Sequence, residues 1–207
     1  MINYNKVAKF SNFKYGCIYF YNKNKYKSII LVFILVLFLV TGVFTALKVS
    51  DLEKALKLVE FSFESMVDGD IYTFSFFIKR FASFSLVLGL LVLCASNKFT
   101  YILGYVLLGY RAFLLSLNCV LIIMYMGVGG LIHSIIIIFP CQLLLLMVAS
   151  VFFLYVSQKF KESKLCGLLN FKSVISSVIT AFIFALLINI IELLLLLLFK
   201  ATSILVI

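Results

Sequence analysis

The sequence predicts an all-α polytopic membrane protein, with five transmembrane helices and short interfacial helices. Three observations point there. Apolar stretches fill most of the chain, at residues 29–47, 81–96, 101–126, 131–156 and 174–198. The composition is 65% hydrophobic and 13% charged, with one proline in 207 residues, which is too apolar for disorder or for an ordinary soluble domain. The lysines lie beside the apolar stretches and not inside them. About twenty apolar residues in a helix cross the hydrocarbon core, whereas a lone strand would leave its backbone unpaired in lipid. Residues 1–207 then form a single membrane domain, which leaves no stretch for a soluble catalytic one.

Before the first apolar stretch, Val7, Phe10, Phe13, Cys17, Ile18 and Tyr21 recur at helical spacing among lysines. This predicts an interfacial helix on the inner surface. The first stretch follows a long basic preamble and has no clean small-residue cleavage site, so it reads as a retained anchor. In the segment at about 50–66, Leu52, Leu56, Val59 and Phe63 alternate with Asp51, Glu53, Lys54, Lys57 and Glu60. That pattern predicts an amphipathic helix on the outer surface, which either anchors the spans or docks an extracytoplasmic partner; anchoring is the plainer reading. Asp68, Gly69 and Asp70 form a turn signal. The second and third spans are joined by a short loop carrying Lys98, and the third and fourth by the uncharged glycine-rich loop 127–130. Pro140 lies within the fourth span, where it frees a backbone carbonyl near Ile136. The fifth span carries Ser173, Ser177, Ala181, Ala185 and Asn189 four residues apart, a small-residue stripe suited to close helix packing.

Charge placement sets orientation. Lys6, Lys9, Lys14, Lys23, Lys25 and Lys27 precede the first span with no acid among them. The interval 48–80 mixes five basic residues with six acids, and 157–173 carries Lys159, Lys161, Lys164 and Lys172 against Glu162. Basic residues stay on the cytoplasmic side. Placing the N-terminus inside puts eleven basic residues in cytoplasmic segments and five in the outer loops, and leaves the C-terminus outside. The pI of 9.4 then reflects attraction to anionic lipid, not nucleic acid. The wealth of Phe, Ile, Lys, Asn and Tyr without Trp suits an AT-rich bacterial genome, and hence a bacterial plasma membrane.

Cys17 and Cys166 fall on the cytoplasmic side, and Cys94, Cys119 and Cys141 fall within spans. No disulfide framework and no zinc-pair spacing results, so these are buried apolar thiols. The chain has no Walker loop, nucleophile elbow or H-E-x-x-H motif. Nothing therefore calls for an enzyme, a metal or a cofactor.

Polar residues inside the spans are the candidate site, because such groups are costly in lipid and face protein, water or a partner. Counting ~1.5 Å per residue places Arg111 about 15 Å from the inner end of its span, and Gln142, counted from the outer end, at a similar depth. Arg111 is therefore expected to pack on the fourth span near Gln142 and Ile136. Glu192 lies about 27 Å along the fifth span, level with His133 and close to Asn118 and Asn189. His133 and Glu192 are expected within side-chain reach, pinning the fourth and fifth spans together. On that basis Glu192→Gln is mild and Glu192→Leu destabilising. The alternative is an ion or substrate path; the small-residue stripe favours clamps.

Three runs resemble the stage II sporulation protein M family: Gly109, Tyr110, Arg111, Ala112, Phe113, Leu114, Leu115, Ser116; then Gly127, Val128, Gly129, Gly130, Leu131; then Phe139, Pro140, Cys141, Gln142, Leu143, Leu144, Leu145, Leu146. Asn189, Ile190, Ile191 and Glu192 look similar as well. Ala112 stands where that family prefers glycine, and Cys141 and Gln142 depart from its usual order. The resemblance implies a non-enzymatic membrane scaffold, needed for spore engulfment, that holds extracytoplasmic peptidoglycan hydrolases at the septal membrane. The expected partners are the lipid bilayer, from the spans, those hydrolases, from the resemblance, and further copies of the chain. The alternative is a permease-like subunit of an exporter. Neighbouring genes for an ATPase would favour the exporter, and genes for cell-wall hydrolases the scaffold.

Overall fold

A computed structural model describes residues 4–49, 74–97, 99–166 and 171–201. These residues form helices α1 (Tyr4–Leu47), α2 (Phe74–Ser96), α3 (Tyr101–His133), α4 (Phe139–Cys166) and α5 (Phe171–Ala201), with a π-helical turn, Ser134–Ile138, between α3 and α4. Among the described residues, four segments are long and apolar enough to cross a membrane: Asn24–Leu47, Tyr101–Tyr125, Gly127–Glu162 and Val174–Leu195. In α2 the apolar part, Arg80–Ser96, is shorter. The expected outer amphipathic segment at 50–66 lies outside the described residues.

α1 is one unbroken helix of 44 residues. The separate interfacial helix expected before the first span is continuous with that span, because no proline or turn signal interrupts the chain there. The apolar part of α1 lies at the edge of the bundle and α3 at its centre: 17% of the former is buried and 50% of the latter.

α1 and α3 run parallel. Lys27 lies over the Tyr101 ring at 4.9 Å, Phe38 packs against Gly109, and Ala46 joins the cluster of Leu117, Leu121 and Ile122. Gly42 allows this close approach, since a Cβ there would collide with the Ser116 hydroxyl and the Phe113 carbonyl. Lipid offers no hydrophobic drive between helices, so contacts of this kind hold the bundle.

The chain reverses at Gly127, whose φ of 58° and ψ of −128° interrupt α3. Glycine visits that region without a Cβ clash. Ser134 Oγ then donates to the Cys119 carbonyl at 3.3 Å, which seats the returning chain on α3. The reversal therefore pivots on one residue where the sequence suggested a four-residue loop, and the fourth crossing starts earlier and ends later than expected. Ahead of Pro140, the Phe139 amide donates to the Ser134 carbonyl, five residues back. This π-type register absorbs a proline that cannot donate.

α4 runs antiparallel to α1 and α3. At its far end Asn24 Nδ2 donates to Gln158 Oε1 at 2.8 Å, and Gln158 Nε2 donates to Glu162 Oε1 at 2.8 Å. The Tyr101 ring stacks on Phe153 at 5.0 Å. α2 reaches this same end: Thr100 Oγ1 donates to the Cys94 carbonyl at 3.1 Å and the Tyr101 amide to the Asn97 carbonyl at 3.1 Å, so α2 turns directly into α3. The main core joins Leu88 and Leu91 of α2, Leu108 and Ala112 of α3, Phe153 of α4 and Ala185 of α5.

Candidate functional site

Three helices meet at Glu192. This α5 carboxylate is 2% exposed. Its Oε1 lies 2.8 Å from Arg80 Nη2 of α2, and its Oε2 accepts a hydrogen bond from Gln142 Nε2 of α4 at 3.2 Å. Each carboxylate oxygen thus engages a different helix. The stripe expected on α5 positions it: Ala181, Ala185 and Asn189 are buried, which turns Glu192, one turn on, into the bundle. A buried charge without a partner is costly, and pairing with hydrogen bonds offsets that cost.

Sequence reasoning missed Arg80, reading it as a loop residue. The signal was present in the depth count. Arg80 is ~24 Å from Ser96 and Glu192 ~27 Å from Val174, both measured from the lysine-rich end at 1.5 Å per residue. A buried carboxylate at that level needs a cation from a neighbouring helix. Gln142 belongs to the same level, since it donates to Glu192. Counted from Gln158, which pairs with Asn24, it also lies ~24 Å up. The expected mid-membrane and outer groups are therefore partly one group.

The Ile136 side chain, expected beside Arg111, is exposed. Arg111 Nη2 instead donates to Ser83 of α2, at 2.7 Å to the hydroxyl and 3.2 Å to the carbonyl. It does share a cavity wall with Gln142, as expected. That cavity, of about 50 Å³, lies between α2, α3 and α4, with Arg80, Arg111, Asn118 and Gln142 as its polar lining.

His133 is 1% exposed, but neither ring nitrogen has a hydrogen-bond partner among the described residues. No direct hydrogen bond joins it to Glu192, whose oxygens turn to Arg80 and Gln142. Asn189 Nδ2 donates within its own helix, to the Ala185 carbonyl at 2.8 Å, and does not clamp a neighbour through that group. Pro140 acts through the backbone at the start of α4.

Among the described residues no three His, Cys, Asp or Glu side chains gather as a metal site. Cys119 and Cys141 are buried among apolar side chains. Chemically, the arrangement cross-links helices: Glu192 ties α5 to α2 and α4, and Arg111 ties α3 to α2. Comparison with known proteins finds no matching family model, curated protein or solved structure.

Proposed function

We propose that this chain is a non-enzymatic integral membrane scaffold of a bacterial plasma membrane. It crosses five times, with the N-terminus in the cytoplasm and the C-terminus outside. The observation that carries this reading is the engagement of both Glu192 oxygens, by α2 at 2.8 Å and α4 at 3.2 Å. A conducting or transporting site needs polar groups that exchange partners and room for cargo. Here the carboxylate is committed to neighbouring helices, to α2 through Arg80 and to α4 through Gln142.

The five-span count is supported by α1 and α3 running parallel. Two parallel crossings need a third between them, and α2, of 23 residues, is ~34 Å long at 1.5 Å per residue. Pairing Arg80 with Glu192 lowers the cost of placing the polar end of α2 in the membrane. The resemblance to the stage II sporulation protein M family supports extracytoplasmic peptidoglycan hydrolases as partners and spore engulfment as the process.

Deletion of the gene tests this reading. Fluorescently tagged peptidoglycan hydrolases are expected to lose their septal position, and the double variant Arg80→Leu/Glu192→Leu to restore it. A well-folded double variant that fails to restore it points to a charge-dependent path and to the exporter reading.

A further inference from the structure

Where α1 meets α4, two helices pool their lysines. The hydrogen bond from Asn24 Nδ2 to Gln158 Oε1, at 2.8 Å, holds the two helices together at this end. Lys25 and Lys27 follow Asn24 by one and three residues, and Lys159 and Lys161 follow Gln158 by the same steps. All four cations therefore lie within one helical turn of a single contact. Glu162 is the one acid at this end among the described residues, so one negative charge stands against four positive ones.

Two of these lysines are held against the protein. Lys27 lies over the Tyr101 ring at 4.9 Å. Lys159 lies 5.6 Å from the Tyr155 ring centre and 3.4 Å from Glu162 Oε2. Lys25 and Lys161 are exposed. Directly above the lysines, α1 exposes Ile29, Ile30, Val32 and Phe33. Tyr26, between the two zones, is exposed as well, and tyrosine is suited to headgroup level. A surface cationic at its foot and apolar above matches the two parts of a phospholipid, a phosphate and its acyl chains. Charge complementarity selects the anionic class, because a zwitterionic headgroup brings an ammonium of its own among the lysines.

We propose that the joint between α1 and α4 is a binding site for one anionic glycerophospholipid, with its phosphate among Lys25, Lys27, Lys159 and Lys161 and its chains along α1. Here α1 is the edge helix, with only 17% of its apolar part buried. A lipid that engages both helices secures it to the bundle. Each lysine near an anionic headgroup contributes modestly, so a lasting complex needs several on one lipid. The site requires a bilayer containing anionic lipid and not the scaffold role.

The test uses the full chain, stripped of lipid in a neutral detergent, with native mass spectrometry to count bound lipids and thermal unfolding to read their effect. Phosphatidylglycerol is expected to bind at one equivalent ahead of weaker adducts and to raise the Tm by a few degrees. Phosphatidylcholine with the same chains, and glycerol phosphate without chains, are expected to do neither. Lys25→Gln and Lys161→Gln each weaken the first equivalent about fivefold, and the two together about twentyfold. Both side chains are exposed, so the fold tolerates the changes. Lys48→Gln, beyond the opposite end of α1, leaves binding unchanged. Undiminished binding in the Lys25→Gln/Lys161→Gln variant overturns the proposal. So does a loss in Lys48→Gln as large as that in Lys25→Gln, or equal retention of phosphatidylcholine, since either means attraction spread over the whole surface. Stabilisation by glycerol phosphate alone would make the ligand a soluble phosphate and overturns it too.

Discussion

Glu192 and Arg80 depend on each other. With Glu192 2% exposed, removing either partner strands the other charge among helices. Breaking such a buried pair costs about 3–5 kcal/mol, whereas replacing both partners by apolar residues is often nearly neutral. The single variants Arg80→Leu and Glu192→Leu are each expected to lower the detergent Tm by roughly 10 °C, and the double variant to recover most of that loss. Thermal unfolding of the four proteins checks this, and additive losses in the double variant would sink the pairing. The partner also changes the reading of Glu192→Gln. The sequence alone suggested a mild effect, since an amide keeps hydrogen bonds; beside Arg80 it removes the negative charge that faces the guanidinium at 2.8 Å, so the loss is expected to approach that of Glu192→Leu. The chemistry at Glu192 was legible from its place inside an apolar helix, but its partner was not. Arg80 sits at the end of an apolar run, where a charge reads as a flank until helix packing brings another helix alongside. Arg111 is similar: its need for acceptors was readable, but the choice of Ser83 depends on which face of α2 meets α3.

The elements themselves were legible where hydrophobic length decides them. Their joints were not. Reversal at Gly127 needs one residue at φ 58°, and a cluster of glycines at 127, 129 and 130 marks the neighbourhood without marking the pivot. Alanine at that φ is strained by about 1–2 kcal/mol, while Gly129→Ala lies in helical backbone and is mild. The expected result is a Tm lower by a few degrees for Gly127→Ala than for Gly129→Ala; equal stability would move the pivot. Gly42 makes the companion case for helix packing. A Cβ there meets the Ser116 hydroxyl and the Phe113 carbonyl, and backbone cannot yield as a side chain can. Gly42→Leu is expected to part α1 from α3, seen as a loss of disulfide cross-linking between cysteines placed at Phe38 and Gly109 in an otherwise cysteine-free chain. Retained cross-linking in that variant would show that α1 is held elsewhere. Gly42 was not legible beforehand because a glycine in an apolar run is common; its role appears only when the facing helix brings Ser116 and Phe113 against it.

At the scale of the whole molecule, the direction of each helix constrains the next. Lys27 over Tyr101 and Ala46 beside Leu121 and Ile122 fix α1 and α3 as parallel. Asn24 bonded to Gln158 fixes α4 as their antiparallel neighbour. The proposed five-span reading has the chain return across the bilayer between α1 and α3, and α2 turns straight into α3 at Thr100, where that return would end. Hydropathy alone undervalues α2, because the charges at its polar end shorten its apolar run to Arg80–Ser96. The pairing of Arg80 with Glu192 reduces the cost that such a count assigns. The proposed orientation rests on the lysines gathered at the end of the bundle marked by Asn24, Lys27, Gln158 and Lys159. In a cysteine-free background, a membrane-impermeant maleimide added to intact cells is expected to label a cysteine at Asp68 and at Gly127, and to spare one at Asn97 and at Lys161. Labelling at both Asp68 and Asn97 would mean that α2 stays on the outer side and that the chain crosses fewer times. Labelling of Asn97 and Lys161 with protection of Asp68 and Gly127 would invert the whole bundle while leaving its internal contacts intact.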